Sequence, residues 1–169
     1  MSSHAVITQG EHLVSADPQL TIATLLGSCV ACCLWDEGMG VGGMNHMLLT
    51  KHSTSVEDFA GVNAMELLIN DLLKLGARRR ALKAKAFGGA QMVSGLSDIG
   101  PSNCAFILQF LESERIPCVS HSLGGTSARQ LLFTPTTGAV KMKMRKDTEL
   151  QEHVPPPDTS VEGNGLELF

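Results

Sequence analysis

The chain has 169 residues, enough for one substantial core, and its 17 acidic against 13 basic residues leave a net charge of −4. That balance offers no global attraction to phosphate or anionic lipid, which argues against nucleic acid and membrane surfaces as partners. No apolar run reaches the roughly 18 residues of a membrane span, and Met1-Ser2-Ser3-His4 lacks the basic and apolar regions of a signal peptide, so the expected location is the cytoplasm. The five cysteines are an odd number, and Cys32 and Cys33 are adjacent. This is not a secreted disulfide framework, and reduced thiols are expected.

Apolar patterning predicts strands over 5–9, 20–25, 29–35 and 41–49, the last two joined at Asp36-Glu37-Gly38 as an antiparallel hairpin. Cys29 and His46 each lie about eight to nine residues from its tip, so they arrive at the same end of the sheet. A helix follows. The capping-box patterns Thr54 with Glu57 and Ser55 with Asp58 open it, Val62, Met65, Leu68, Ile69, Leu72 and Leu75 supply its apolar positions, and Gly76 stops it. Arg78-Arg79-Arg80 then leads to a strand over 82–87 ending in Gly88-Gly89. A second helix is expected to start near Ser102 or Asn103, to bury Phe106, Ile107, Phe110 and Leu111, and to close before Pro117. A strand over 118–123 ends in Gly124-Gly125, and 130–134 pairs with 139–143 around Pro135-Thr136-Thr137-Gly138. Beyond Lys146 the pattern fades into Pro155-Pro156-Pro157-Asp158. The expected organisation is one domain over 1–146 and a disordered tail over 147–169. The element pattern predicts an α/β or α+β domain with helices packed on a mixed sheet.

The stretch richest in chemistry is Leu25-Leu26-Gly27-Ser28-Cys29-Val30, followed by His46 in Gly42-Gly43-Met44-Asn45-His46-Met47. A small-residue turn that presents a cysteine to a histidine can make a thiolate nucleophile. Such a pair suits an amide, which needs a strong nucleophile and a proton donor for departing ammonia. Backbone N–H groups of the turn at Gly27-Ser28 lie beside the sulfur as oxyanion donors. Cys29-Val30-Ala31-Cys32 has a metal or redox spacing as well. On a strand, however, residues three apart face opposite ways, and no second Cys-x-x-Cys exists, so neither metal nor cofactor is expected. Cys32, Cys33, Cys104 and Cys118 read as small core residues, and Asn45 faces away from His46 and caps a turn.

Several ordered blocks carry a resemblance: Thr24-Leu25-Leu26-Gly27-Ser28-Cys29-Val30, Gly43-Met44-Asn45-His46, Phe87-Gly88-Gly89-Ala90, Ile99-Gly100 with Asn103, and Leu123-Gly124-Gly125-Thr126 followed by Pro135-Thr136-Thr137-Gly138. In order and spacing, over about residues 5–143, they resemble the CheD family of chemoreceptor glutamine deamidases. The resemblance implies hydrolysis of selected glutamine side chains to glutamate on methyl-accepting chemotaxis receptors, with Cys29 and His46 as the reacting pair. The same acyl-thioester path would serve glutamyl methyl esters. It also implies receptor cytoplasmic helices and a CheC-type phosphatase as partners. The fold it implies is a single-domain mixed β-sheet sandwich with two main helices, similar to the catalytic domain of the cytotoxic necrotizing factor toxins.

The sequence departs from the family at one catalytic position. There, a threonine six residues before the cysteine orients the histidine, and here that position is Ala23. Thr24 is the adjacent substitute, although a regular strand turns it to the face opposite Ala23, whereas Thr21 shares that face but lies further back. A bulge or a backbone carbonyl is the other way to fill the role. Loss of such an orienting group predicts a slower enzyme rather than a dead one, and the alternative function is an adaptor that binds receptors or the CheC-type partner. The family's arginine before the asparagine is Ser102 here. Gly88, Gly89, Gly124 and Gly125 read either as tight turns or as places where backbone meets a receptor helix closely. Arg78-Arg79-Arg80 reads as a solvated loop or as a patch that steers acidic receptor helices.

Overall fold

The computed structural model describes residues 2–49, 55–92, 99–145 and 166–169. In chain order the elements are β1 (Ser3–Val6), β2 (His12–Ser15), β3 (Leu20–Leu26), β4 (Val30–Asp36), β5 (Val41–Asn45), α1 (Ser55–Lys74), β6 (Lys83–Gly88), α2 (Ile99–Ser113), β7 (Cys118–Leu123), β8 (Ala128–Thr134), β9 (Ala139–Arg145) and β10 (Leu166–Leu168). Two five-stranded sheets form, in the orders β1-β3-β8-β9-β10 and β2-β5-β4-β6-β7. Both are mixed, because β1 lies parallel to β3 and β7 parallel to β6, whereas the other pairs are antiparallel.

The central strand β4 explains the layering. All its residues are buried, and they alternate between two cores. Val30, Cys32 and Leu34 pack with Met65, Leu68, Ile69 and Leu72 of α1 and with Ile107, Phe110 and Leu111 of α2. Ala31, Cys33 and Trp35 pack with Ile22 and Leu26 of β3 and with Leu131 and Phe133 of β8. A strand covered on both faces has no polar side to show, which is why this segment reads as one apolar run of small residues. The layers are therefore helices, then the β4 sheet, then the β3 sheet, an α+β sandwich with two main helices.

Gly76, at φ +112°, ends α1, and Ala77 N–H reaches back to Leu72 O at 2.9 Å. Val62 and Leu75, expected on the buried face of that helix, are 37% and 40% exposed. The capping pattern expected at Thr54 lies outside the described residues, as do the side chains of 55–59. α2 starts at Ile99, ahead of the expected Ser102 or Asn103. Its Pro101 sits in the first turn, where a backbone N–H has no helical partner and a proline costs nothing.

Two strands went unforeseen. β2 pairs antiparallel with β5, His12 opposite Asn45. Within the stretch expected to be a disordered tail, 146–165 lie outside the described residues, but β10 pairs antiparallel with β9 and the Phe169 ring meets Phe87 edge-on at 5.3 Å. Lys85 holds this end down, its Nζ donating to Gly138 O and Phe169 O at 2.7 Å each. The triple arginine lies exposed on the loop after α1, and two of its members also make ion pairs. Arg78 makes two side-chain bonds to buried Asp36 at 3.0 Å and Arg79 pairs with Glu114. Asp36 also lies at the far end of β4, roughly 20 Å from Cys29.

Candidate active site

The chain crosses from one sheet to the other between β3 and β4, and Gly27-Ser28-Cys29 is that crossing. Its carbonyls are tied down: Gly27 O accepts from Ala90 N at 3.0 Å, Ser28 O from Asn103 Nδ2 at 2.7 Å, and Cys29 O from Gly89 N at 2.8 Å. Close packing behind the cysteine dictates the paired glycines. Gly88 has φ +110° and a Cβ there would stand 2.2 Å from Cys29 O, whereas a Cβ on Gly89, at φ +68°, would stand 2.1 Å from Cys104 Sγ. Both are buried. Of the two readings of Gly88 and Gly89, the tight turn is the one described: Gly88 closes on the Cys29 backbone and Gly89 on Cys104 and Gly100. Gly124 N donates to Gly88 O, and Gly125 O accepts from Gln91 N, each at 2.8 Å. These two glycines keep open space beside them and share the cysteine's end of the sandwich.

His46 arrives one residue past β5. Val30 and Met47 exchange two backbone bonds, N to O at 3.0 and 2.7 Å, which sets the register. His46 is then opposite Ala31, and Cys29, two residues before Ala31 on the same face, is its diagonal neighbour across the pair. No hydrogen bond joins Cys29 Sγ to His46 among the described residues. The His46 backbone is clamped from the β2 side, its N–H donating to Glu11 O at 3.0 Å and its carbonyl accepting from Gly10 N at 2.9 Å.

The imidazole is held from the other sheet. Thr24 Oγ1 lies 2.7 Å from His46 Nδ1 and 2.7 Å from Ile7 O. A carbonyl only accepts, so the threonine proton goes to Ile7 O and the threonine oxygen must accept from Nδ1–H. This fixes the tautomer and leaves Nε2 unprotonated. β3 reaches Thr24 without a bulge, in unbroken register from Ile22 opposite Phe133 to Leu26 opposite Arg129. Ile22, Thr24 and Leu26 are the face turned into the sandwich, and Ala23 is on the other. Asn45 faces away from His46 as expected, but it caps no turn. Its Oδ1 accepts from Cys32 N at 2.9 Å, joining β5 to β4.

Enclosure sets the electrostatics of the pair. Burial pushes the Cys29 thiol up to about 11. Burial also draws the His46 imidazole down to about 4, against the opposing attraction of the Glu11 carboxylate. At neutral pH the resting pair is therefore a thiol and a neutral imidazole, not an ion pair. Cys32 points into the helix-side core and Cys29 into the sheet-side core, so the two thiols of the Cys-x-x-Cys cannot share a metal. His46 also lines a groove of about 190 Å³ between Glu11 and the Ala60, Asn63 and Leu67 side of α1. Exposed Leu48 and Leu67 flank it.

Sequence reasoning missed two contributors. One is Ile7, whose carbonyl decides which way the threonine proton points. The other is Asn103, which looked like a helix start and instead reaches Ser28 from α2.

A family model described as CheD chemotactic sensory transduction matches residues 49–144, more than half of the chain. A Caulobacter vibrioides (strain NA1000 / CB15N) protein, named probable chemoreceptor glutamine deamidase CheD, is 47% identical over 171 residues, covering 96% of this chain and 91% of that one. A Ruegeria sp. (strain TM1040) protein, named probable chemoreceptor glutamine deamidase CheD 1, is 50% identical over 142 residues, covering 83% and 76%. A solved Neisseria meningitidis protein, NMB0706, of family DUF152, aligns at TM-score 0.47 and 12% identity over 74% of this chain and 64% of that one. On the family match and on relatives this close over three quarters or more of their length, the chain belongs to the CheD family.

Proposed function

We propose that this chain hydrolyses selected glutamine side chains of chemoreceptor cytoplasmic helices to glutamate, through a thioester on Cys29. The observation that carries the reading is the Thr24 Oγ1 to His46 Nδ1 bond, which leaves Nε2 as a base on the histidine beside the cysteine. In the first step His46 Nε2 takes the Sγ proton as sulfur bonds to the glutamine Cδ, and the carbonyl electrons move to oxygen. The proton passes to the departing nitrogen, the C–N bond breaks, and ammonia leaves a thioester. Water then gives His46 a proton as it attacks, the C–S bond breaks, and the thiol is restored with glutamate as product. The neutral resting pair fits this order, in which proton transfer accompanies attack.

In this reading the receptor glutamine approaches past the groove beside His46, whose lining mixes Leu48, Leu49 and Leu67 with Glu11, His12 and Asn63, and Gly124 and Gly125 stand open at the same end. A glutamyl methyl ester would follow the same path with methanol leaving. A CheC-type regulator would compete for the receptor-facing end. The adaptor alternative rested on Ala23, and the bond from Thr24 Oγ1 to His46 Nδ1 supports the catalytic reading over it.

Mass spectrometry of a chemoreceptor cytoplasmic fragment incubated with the protein tests the proposal. The expected result is a gain of about one mass unit at particular glutamines with an equal yield of ammonia. Intact glutamines after prolonged incubation would overturn it.

The pH profile gives a second check. His46 works unprotonated, so kcat/KM should be flat through neutrality and fall only as pH drops toward about 4, well below the usual imidazole value. Stability follows the same sign. Because the folded pKa is depressed, the unfolded chain binds more protons between about 4 and 6.5, so stability present above 6.5 is lost as pH falls through that window. The loss is about 3 kcal/mol at most, visible as a lower Tm at pH 5 than at pH 7.5. An acid limb centred near 6.5 would contradict the buried, neutral histidine.

A further inference from the structure

The cysteine loop sends its carbonyls to one side. Ala90 N, Asn103 Nδ2 and Gly89 N, the donors to Gly27 O, Ser28 O and Cys29 O, all belong to the two residues just after β6 or to α2. In a trans peptide the carbonyl and the next N–H point opposite ways, and no cis bond occurs among the described residues. Drawing Gly27 O and Ser28 O toward β6 and α2 therefore turns the N–H groups of Ser28 and Cys29 away from them. The next amide, Val30 N, is taken by Met47 O, whereas Ser28 N and Cys29 N have no partner among the described residues.

We infer that Asn103 is the positioning residue of the oxyanion hole: its amide fixes the Ser28–Cys29 peptide so that the Ser28 and Cys29 N–H groups meet the oxygen of the tetrahedral intermediate. The inference rests on the thioester reading above and deepens it. The amide orientation is settled by chemistry, since the reverse would set Oδ1 against Ser28 O, acceptor against acceptor. Core packing does not explain the residue. Asn103 is fully buried, and its Oδ1 has no partner among the described residues. An orphaned buried acceptor is destabilising, so an apolar side chain would serve α2 at least as well. The contact it does make, 75 residues away in sequence, is on the catalytic turn.

Asn103→Leu and Asn103→Asp test this in three measurements on the full chain. The first is kcat and KM on a receptor fragment. The second is the rate of Cys29 alkylation by iodoacetamide, which needs the thiol but no oxyanion donor. The third is affinity for a receptor peptide with glutamate γ-semialdehyde at the target position; Sγ adds to its aldehyde carbon, the thiol proton goes to the aldehyde oxygen, and that oxygen lies in the hole. The expected result is a kcat about 10²-fold lower, a semialdehyde affinity lower by a similar factor, and KM and alkylation little changed. Unchanged kcat, or kcat and alkylation falling together, would overturn the role. Should both variants fail to fold, ¹⁵N-labelled wild type decides: the Ser28 and Cys29 amide resonances move downfield on semialdehyde binding, and if neither moves the hole lies elsewhere. Failure of the underlying reading looks different, because wild type itself would then neither deamidate the fragment nor capture the aldehyde.

Discussion

Cys29→Ala should reduce receptor deamidation to background, a loss on the order of 10⁴-fold or more, and His46→Ala should do nearly the same. The two groups act as one unit. Without sulfur there is no atom to form the thioester, and without Nε2 a thiol whose burial holds it near 11 stays protonated at neutral pH. The double variant should therefore be no slower than either single one. Cys29→Ala should keep its fold, since alanine retains the Cβ and the loop is held by carbonyl bonds rather than by the side chain. Time courses by peptide mass spectrometry on matched protein, with far-UV spectra as the fold control, provide the check. Effects of the two single variants that multiply in the double variant would mean that cysteine and histidine act separately, and the mechanism above would fail.

Thr24→Val should lower kcat about 10²-fold, with Thr24→Ser close to wild type. Valine matches threonine in shape but removes the hydroxyl that accepts from His46 Nδ1 and donates to Ile7 O. The ring then loses the contact that holds its proton on Nδ1, and a proton on Nε2 takes away the base that the proposed mechanism uses. Both partners are left buried and unsatisfied, so the same change should destabilise the fold by about 2 kcal/mol. The ring tautomer, read from ¹⁵N shifts of His46, is the measurement that separates misorientation from general loosening. Ala23→Thr should add no activity, because residue 23 turns to the opposite face of β3 from the one that holds Ile22, Thr24 and Leu26. A gain from Ala23→Thr would show that the orienting position is at 23 after all.

Alternation in the sequence carried most of the strands, the hairpin that brings Cys29 and His46 to one end, and the glycine stop of α1. It could not say which face of β3 looks into the sandwich. Of Ile22, Ala23 and Thr24 all three are buried, so composition offers no inward and outward side, and the family spacing pointed to Ala23. Only the pairing of β3 with β8 across from the β4 sheet decides the matter. β2 was illegible for a related reason: four half-buried residues, His12-Leu13-Val14-Ser15, show neither alternation nor a run. β10 follows a proline-rich stretch and takes its form from β9 rather than from its own three residues. Asn103 could be named but not placed, because nothing local in a helix start announces a bond to a turn so far back in the chain.

The residues of the proposed site come from both halves of the sandwich: Thr24 lies on one sheet, His46 just past a strand of the other, Cys29 on the link between them, and Asn103 on the helix layer behind. A chain emerging from the ribosome, or one that has lost the docking of its sheets, owns every residue of the site and none of its geometry. Under the proposed mechanism, hydrolysis of glutamine therefore requires that both sheets and α2 be docked together.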